Sequence, residues 1–232
     1  MMCKLLATLM CLFLLVACQA GTDYYGTGPL VLSPKVESVL RQNIHGKNGI
    51  RENLVIALDK RLRRFGGVYC PSSDIHSCIG GGSLSASRAV DNCNKDGKYD
   101  CWVYSIVDKI VWRGPIYLRD SSSGQRLPYH GVWPVSVSWD GVSDGQAELV
   151  LDQGKASLIG TAAGACELSF SPKDSRHGTV GFRCSNGSAA GGNYVQSVAQ
   201  KVKGTGKDNN GREIEFELDL DEGKGAPGKP IT

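Results

Sequence analysis

Between Glu213 and Leu220 acidic and apolar residues alternate without a break. Ile214, Phe216, Leu218 and Leu220 fall on one face, and Glu213, Glu215, Glu217 and Asp219 on the other. A period of two is the pattern of a strand with one buried and one wet face. Shorter stretches repeat it upstream: Ala147, Leu149 and Leu151; Ala156 and Leu158; Cys166, Leu168 and Phe170; Val180, Phe182 and Cys184. Turn-forming pairs punctuate them at Asp140-Gly141, Asp144-Gly145, Gln153-Gly154, His177-Gly178, Asn186-Gly187 and Asn210-Gly211. Residues 134–222 are therefore expected to form an antiparallel β-sandwich or small barrel.

Nearer the N-terminus the period changes. Ser33-Pro34 has the chemistry of an N-cap followed by a first helical residue, and Val36, Val39 and Leu40 make one apolar stripe before Gly46. Residues 53–58 and 65–70 read as strands. A helix over 83–94 buries Ala86, Ala89, Val90 and Cys93, and 101–107 with 110–112 read as a hairpin. The fold class is thus α+β and mostly antiparallel: a β-β-α-β-β unit within 33–116, then the β domain of 134–222. The polar, breaker-rich stretch Asp120–Pro128 suggests that 117–133 is a linker, and the aperiodic residues 223–232 suggest a disordered tail.

The first residues read as an export address. Lys4 precedes a 13-residue apolar run, Leu5–Ala17, too short for a membrane-spanning helix and of signal-peptide length. The run ends in Leu15-Val16-Ala17-Cys18, which resembles the lipobox of bacterial lipoproteins. That resemblance implies removal of 1–17, lipidation of Cys18, and a tether over 18–32. Gln19 at the following position implies, by the same resemblance, the outer membrane of a two-membrane bacterium, facing periplasm or cell surface. The alternative is a secretory signal cut after Ala20. Residues 50–116 also resemble small exported bacterial domains of uncharacterised function. The positions that carry this likeness are Ala89, Cys93, Cys101, Val103 and Tyr104. It implies a fold and a disulfide, and no activity.

Composition narrows the classes. A net charge of +3 on 232 residues leaves no electrostatic footprint for nucleic acid. Thirty glycines fit a turn-rich β protein. Of nine cysteines, Cys3 and Cys11 leave with the signal and Cys18 takes the lipid. The remaining six, Cys70, Cys78, Cys93, Cys101, Cys166 and Cys184, suit disulfides in an oxidising compartment. Among the possible connectivities the sequential pairs 70–78, 93–101 and 166–184 are preferred, because each brackets a turn or a helix-to-strand junction.

No catalytic set stands out. Asp74 and His76 lie among serines in the 70–78 loop, but no Gly-x-Ser-x-Gly elbow is present. Four histidines, His45, His76, His130 and His177, sit in or beside turns, and no metal or cofactor is expected. Gly204 to Gly211 has neither the following helix of a phosphate cradle nor the spacing of a calcium loop, and reads as a hairpin turn. Asp219, Asp221 and Glu222 read as a solvated strand end. Lys60, Arg61, Arg63 and Arg64 form the one dense basic run, a candidate contact for anionic head groups or otherwise a soluble hairpin turn. Trp102, Tyr104 and Ile106, with Trp112, could form an exposed platform, or core if the 83–94 helix covers them. The expected role is a non-enzymatic envelope module, held to the membrane through its lipid and contacting a protein or polysaccharide. The alternatives are a small envelope hydrolase and an inhibitor of a protease or lysozyme that presents the 70–78 loop.

Overall fold

The computed structural model describes residues 24–45, 55–68, 82–107, 109–121, 124, 126–153, 155–174, 176–197 and 200–225. The lipobox, Cys70, Cys78, Asp74 and His76 lie outside them. Among the described residues the chain is mostly antiparallel β with two helices, and eight strands close into a barrel.

The N-terminal part has three layers. Strands β2 (Val55–Asp59), β3 (Phe65–Val68), β4 (Cys101–Ile106) and β5 (Lys109–Ile110) form a sheet ordered β3-β2-β4-β5. One face packs on helix α2 (Gly82–Cys93) through Ala86, Ala89 and Cys93 against Val55, Ala57 and Val103. The other face meets helix α1 (Pro34–His45), whose Leu40 and Ile44 contact Ile56, Leu58, Tyr104 and Trp112. Ser33 caps α1, its Oγ accepting from Val36 N at 3.3 Å. The Cys93–Cys101 disulfide ties the end of α2 to the start of β4.

Three expected boundaries differ in the structure. The end of the 18–32 tether is strand β1 (Leu30–Leu32), which pairs in parallel with β6 (Ile116–Arg119) and buries Leu30 and Leu32. The 117–133 linker is largely an antiparallel hairpin of β6 with the first half of β7 (Arg126–Trp139). The described polar residues between its strands are Asp120, Ser121 and Gly124. Tyr117 and Tyr129 are buried on its strands. The start of the expected tail is also ordered, because Lys224 and Val132 exchange backbone hydrogen bonds at 2.7 and 2.9 Å.

β7 continues into the barrel and is followed by β8 (Val142–Asp152), β9 (Lys155–Thr161), β10 (Gly164–Pro172), β11 (His177–Cys184), β12 (Ala189–Gln196), β13 (Lys201–Asp208) and β14 (Glu213–Asp219). Each strand pairs with the next, and β14 returns to β7. The inward faces are those predicted from alternation: Leu149, Leu151, Leu158, Cys166, Val180, Cys184 and Phe216 share one core with Trp133. Cys166 and Cys184 are directly opposite on β10 and β11 and form a buried disulfide. Asp144-Gly145 is a bulge inside β8 and not a turn: the register slips opposite Ser136 to Ser138, with Gly145 at φ 85°.

β12 and β13 approach so closely that their paired glycines, Gly192 and Gly206, have no room for side chains. A Cβ on Gly192 would lie 2.1 Å from the Thr205 carbonyl oxygen and 2.7 Å from Gly206 Cα. The obstacle is backbone, which cannot rotate away. Gly192→Ala is therefore expected to destabilise the barrel by about 1–3 kcal/mol, in the range of other overpacking changes. A thermal melt checks this as a Tm lowered by several degrees.

Candidate functional site

Alternate turns of an up-and-down barrel share an end. Those after β7, β9, β11 and β13 meet at one mouth, formed around Asp140, Ala162, Asn186 and Asn210. The mouth holds an open cavity of ≈ 390 Å³ lined by Trp139, Asp140, Val142, Ala163, Asn186 and Arg212, among others. The opposite end is filled. There Trp133 Nε1 and Tyr117 Oη both donate to the Leu220 carbonyl, at 3.1 and 2.6 Å.

Trp139 follows Trp133, Val135 and Val137 at intervals of two, so it is the last inward side chain of β7 and comes out at the rim. Its Nε1 is buried and has no hydrogen-bond partner among the described residues. The Arg212 guanidinium lies over its ring, 5.5 Å from the centroid. Val142, 72% exposed, adds an apolar edge. Asp140 holds the β7–β8 turn: with φ 50° and Gly141 at 76° it forms the tight hairpin expected of Asp-Gly, and its Oδ1 accepts from Glu213 N at 2.8 Å.

Arg212 is fixed by Asp208, whose side chain is fully buried. Nε and Nη2 both donate to Oδ2 at 2.8 Å, while Oδ1 accepts from Asn210 N at 2.8 Å and Arg212 N at 2.9 Å. Burial alone would raise the Asp208 pKa. The backbone N–H of Arg212, its guanidinium and the N–H of Asn210 outweigh that and hold it below the usual carboxylate value. The segment Gly204–Gly211 is thus a strand ending in a turn, as expected.

The β2–β3 turn uses the same device. Asp59, fully buried, accepts from Arg63 Nε at 2.8 Å and from Asp100 N at 3.1 Å. The Arg63 hydrogen bond is the main cause of a lowered Asp59 pKa. The basic run is accordingly drawn into the fold: Arg64 pairs with Asp96 at 2.7 Å, Lys60 lies 3.9 Å from Asp100, and Arg63 and Arg64 both stack over Tyr99.

The aromatic platform is core. Tyr104 and Trp112 are each 1% exposed, and Trp112 Nε1 donates to the Gly28 carbonyl at 2.8 Å. Helix α1 and strands β1 and β6 cover that face, and α2 covers the other. Ile106 leaves the Trp102 face because a register shift between Ile56 and Ala57 makes Tyr104 an extra residue in β4. Of the histidines, His130 is buried with Nδ1 3.2 Å from Asp152 Oδ1, and burial lowers its pKa. His177 is exposed and pairs with Asp174, whose pKa falls to about 2 through backbone hydrogen bonds from Arg176 and His177 and the His177 ring. Asp219 and Asp221 hold Lys201 and Arg126. Among the described residues no group of three or more His, Cys, Asp or Glu is placed to hold a metal, and no helix is long and apolar enough to cross a membrane.

No family model and no curated protein matches the chain. Among solved structures, similarity is found to a redesigned β-barrel, mFAP1, bound to DFHBI: 13% identity over 39% of this chain and 93% of that one, TM-score 0.32. A de novo designed fluorescence-activating β-barrel is 15% identical over 39% of this chain and 92% of its own, TM-score 0.31.

Asp208 stabilises as a carboxylate. With its folded pKa below the unfolded value, its contribution is complete above about pH 4 and is lost as pH falls through the folded value. Asp208→Asn is expected to be less stable than the parent at pH 7 and to converge with it as the pH falls through the lowered folded-state pKa, as read by denaturant unfolding at a series of acidic pH values.

Proposed function

We propose that this chain is a non-enzymatic binding module of a bacterial cell envelope, exported, acylated at Cys18 and held on the outer membrane, which takes a polysaccharide segment at the barrel mouth. The observation that carries the binding reading is the open cavity at the mouth, where the Trp139 indole lies under a guanidinium held in place by Asp208. Concave sites lined by an aromatic side chain and a few fixed polar groups are the usual form of a ligand pocket. An indole flank, an apolar edge from Val142 and the exposed donors of Arg212 match a molecule that is polar at its hydroxyls and apolar along its carbon skeleton.

Compartment is supported separately. The Leu15-Val16-Ala17-Cys18 motif at the end of an apolar run suits lipoprotein export, and two buried disulfides suit an oxidising environment. Binding is favoured over hydrolysis because the charged groups at the mouth already have structural work. Asp140 holds a backbone N–H and Arg212 is clamped by Asp208.

Two measurements test this. Titration with soluble envelope polysaccharide fragments should change the tryptophan fluorescence of the parent, and Trp139→Ala should weaken binding at least tenfold; an unchanged affinity would remove the mouth as the site. The intact mass of the mature protein should carry diacylglyceryl and fatty-acyl groups beginning at residue 18, and a Cys18→Ser chain should lose them along with membrane retention.

A further inference from the structure

An apolar groove of ≈ 200 Å³ lies between α1 and the β2–β3 hairpin, lined by Val36, Val39, Leu62 and Phe65 and edged by Lys35 and the stems of Arg63 and Arg64. Phe65 is 49% exposed. The β2–β3 turn beside the groove carries Lys60, Arg61, Arg63 and Arg64, of which Lys60, Arg63 and Arg64 meet Asp100, Asp59 and Asp96, and Arg61 is exposed. An apolar slot with a net cationic rim is complementary to an amphiphile with an anionic head.

The course of the chain says what covers it. Tyr25 bridges Val103 in parallel, with Val103 N donating to the Tyr24 carbonyl at 2.8 Å and Gly26 N to the Val103 carbonyl at 3.3 Å. Followed backwards from Tyr24, the chain therefore heads toward the start of β4. That is where Cys101 faces Asp59 and where Lys60 N donates to the Asp100 carbonyl. Only residues 19–23 separate Cys18 from Tyr24, and six extended steps span at most about 20 Å. A lipid on Cys18 would thus be attached from the end of the domain that carries the basic hairpin and the groove.

We infer that the β2–β3 hairpin and the α1 groove form a membrane-docking surface for anionic phospholipid, with Leu62 and Phe65 entering the acyl boundary and Arg61 and Lys35 contacting phosphates. This rests on the lipoprotein reading for its orientation. Docking would fix the tilt of the protein on the bilayer, which a flexible lipid link alone does not do.

The test uses the mature chain, residues 18–232, with Cys18→Ser, so that neither an acyl group nor the apolar run of residues 5–17 contributes. It is pelleted with phosphatidylcholine vesicles, with and without phosphatidylglycerol. Binding at least tenfold stronger to the phosphatidylglycerol vesicles is expected. Arg61→Ala should weaken it roughly fivefold, the equivalent of about 1 kcal/mol for one basic residue near an anionic surface. Phe65→Ser should weaken it independently, and the same charge removal on the barrel wall, Arg183→Ala, should leave it unchanged. Equal binding to both vesicle types, or equal weakening by Arg61→Ala and Arg183→Ala, overturns the proposal. Failure of the anchor is distinguishable, because it appears in the mass of the native protein as an unmodified residue 18.

Discussion

The structure depends on the satisfaction of one long strand. β7 runs for 14 residues, and its backbone groups must be hydrogen-bonded along that whole length, because an unpaired buried N–H or C=O costs about 1–3 kcal/mol. No single neighbour provides this. Its first residues pair with β6, Val132 pairs with Lys224, and the remainder pairs with β8 and β14. Because β7 takes both the first and the last strand of the meander as partners, the sheet closes and no edge is left in the barrel. Because it also takes β6, the barrel cannot be separated from the layered N-terminal part. Trp133 and Tyr117, hydrogen-bonded to one carbonyl of Leu220, sit where these pairings change.

How much of this the sequence disclosed depends on what fills the inward positions. Where they are large and apolar, as in β8, β10, β11 and β14, period-two alternation locates the strand and its buried face. β12 and β13 were not separately discernible, since their inward residues include Gly192, Gly204 and Gly206, and a hydrophobicity pattern cannot register a missing side chain. β6 and the start of β7 have the composition of a linker, because Pro128 and the polar sequence before it mask the buried Tyr117 and Tyr129. Two bulges have no signal in the alternation: the one at Gly145, whose Asp-Gly pair has the chemistry of a turn, and the one at Tyr104, which puts Ile106 on the other side of its sheet.

The candidate mouth was harder to see. Trp139 and Arg212 are 73 residues apart, and nothing local in the sequence joins them. One signal was available: Asp59 to Arg63 and Asp208 to Arg212 share the same four-residue spacing, and in both a buried carboxylate holds the arginine across a hairpin. The basic run was legible as charge but not as structure, because the partners that fix it, Asp96, Asp100 and Tyr99, come from the loop after α2.

The Gly192–Gly206 contact has a wider implication for how such a protein can change. Where two staves of a barrel are pressed together backbone to backbone, the lumen cannot be widened along that seam, since no side chain is there to shorten. Diversification of what the mouth accepts is thereby directed to the hairpin tips, whose length and sequence can drift while the wall beneath them stays the same.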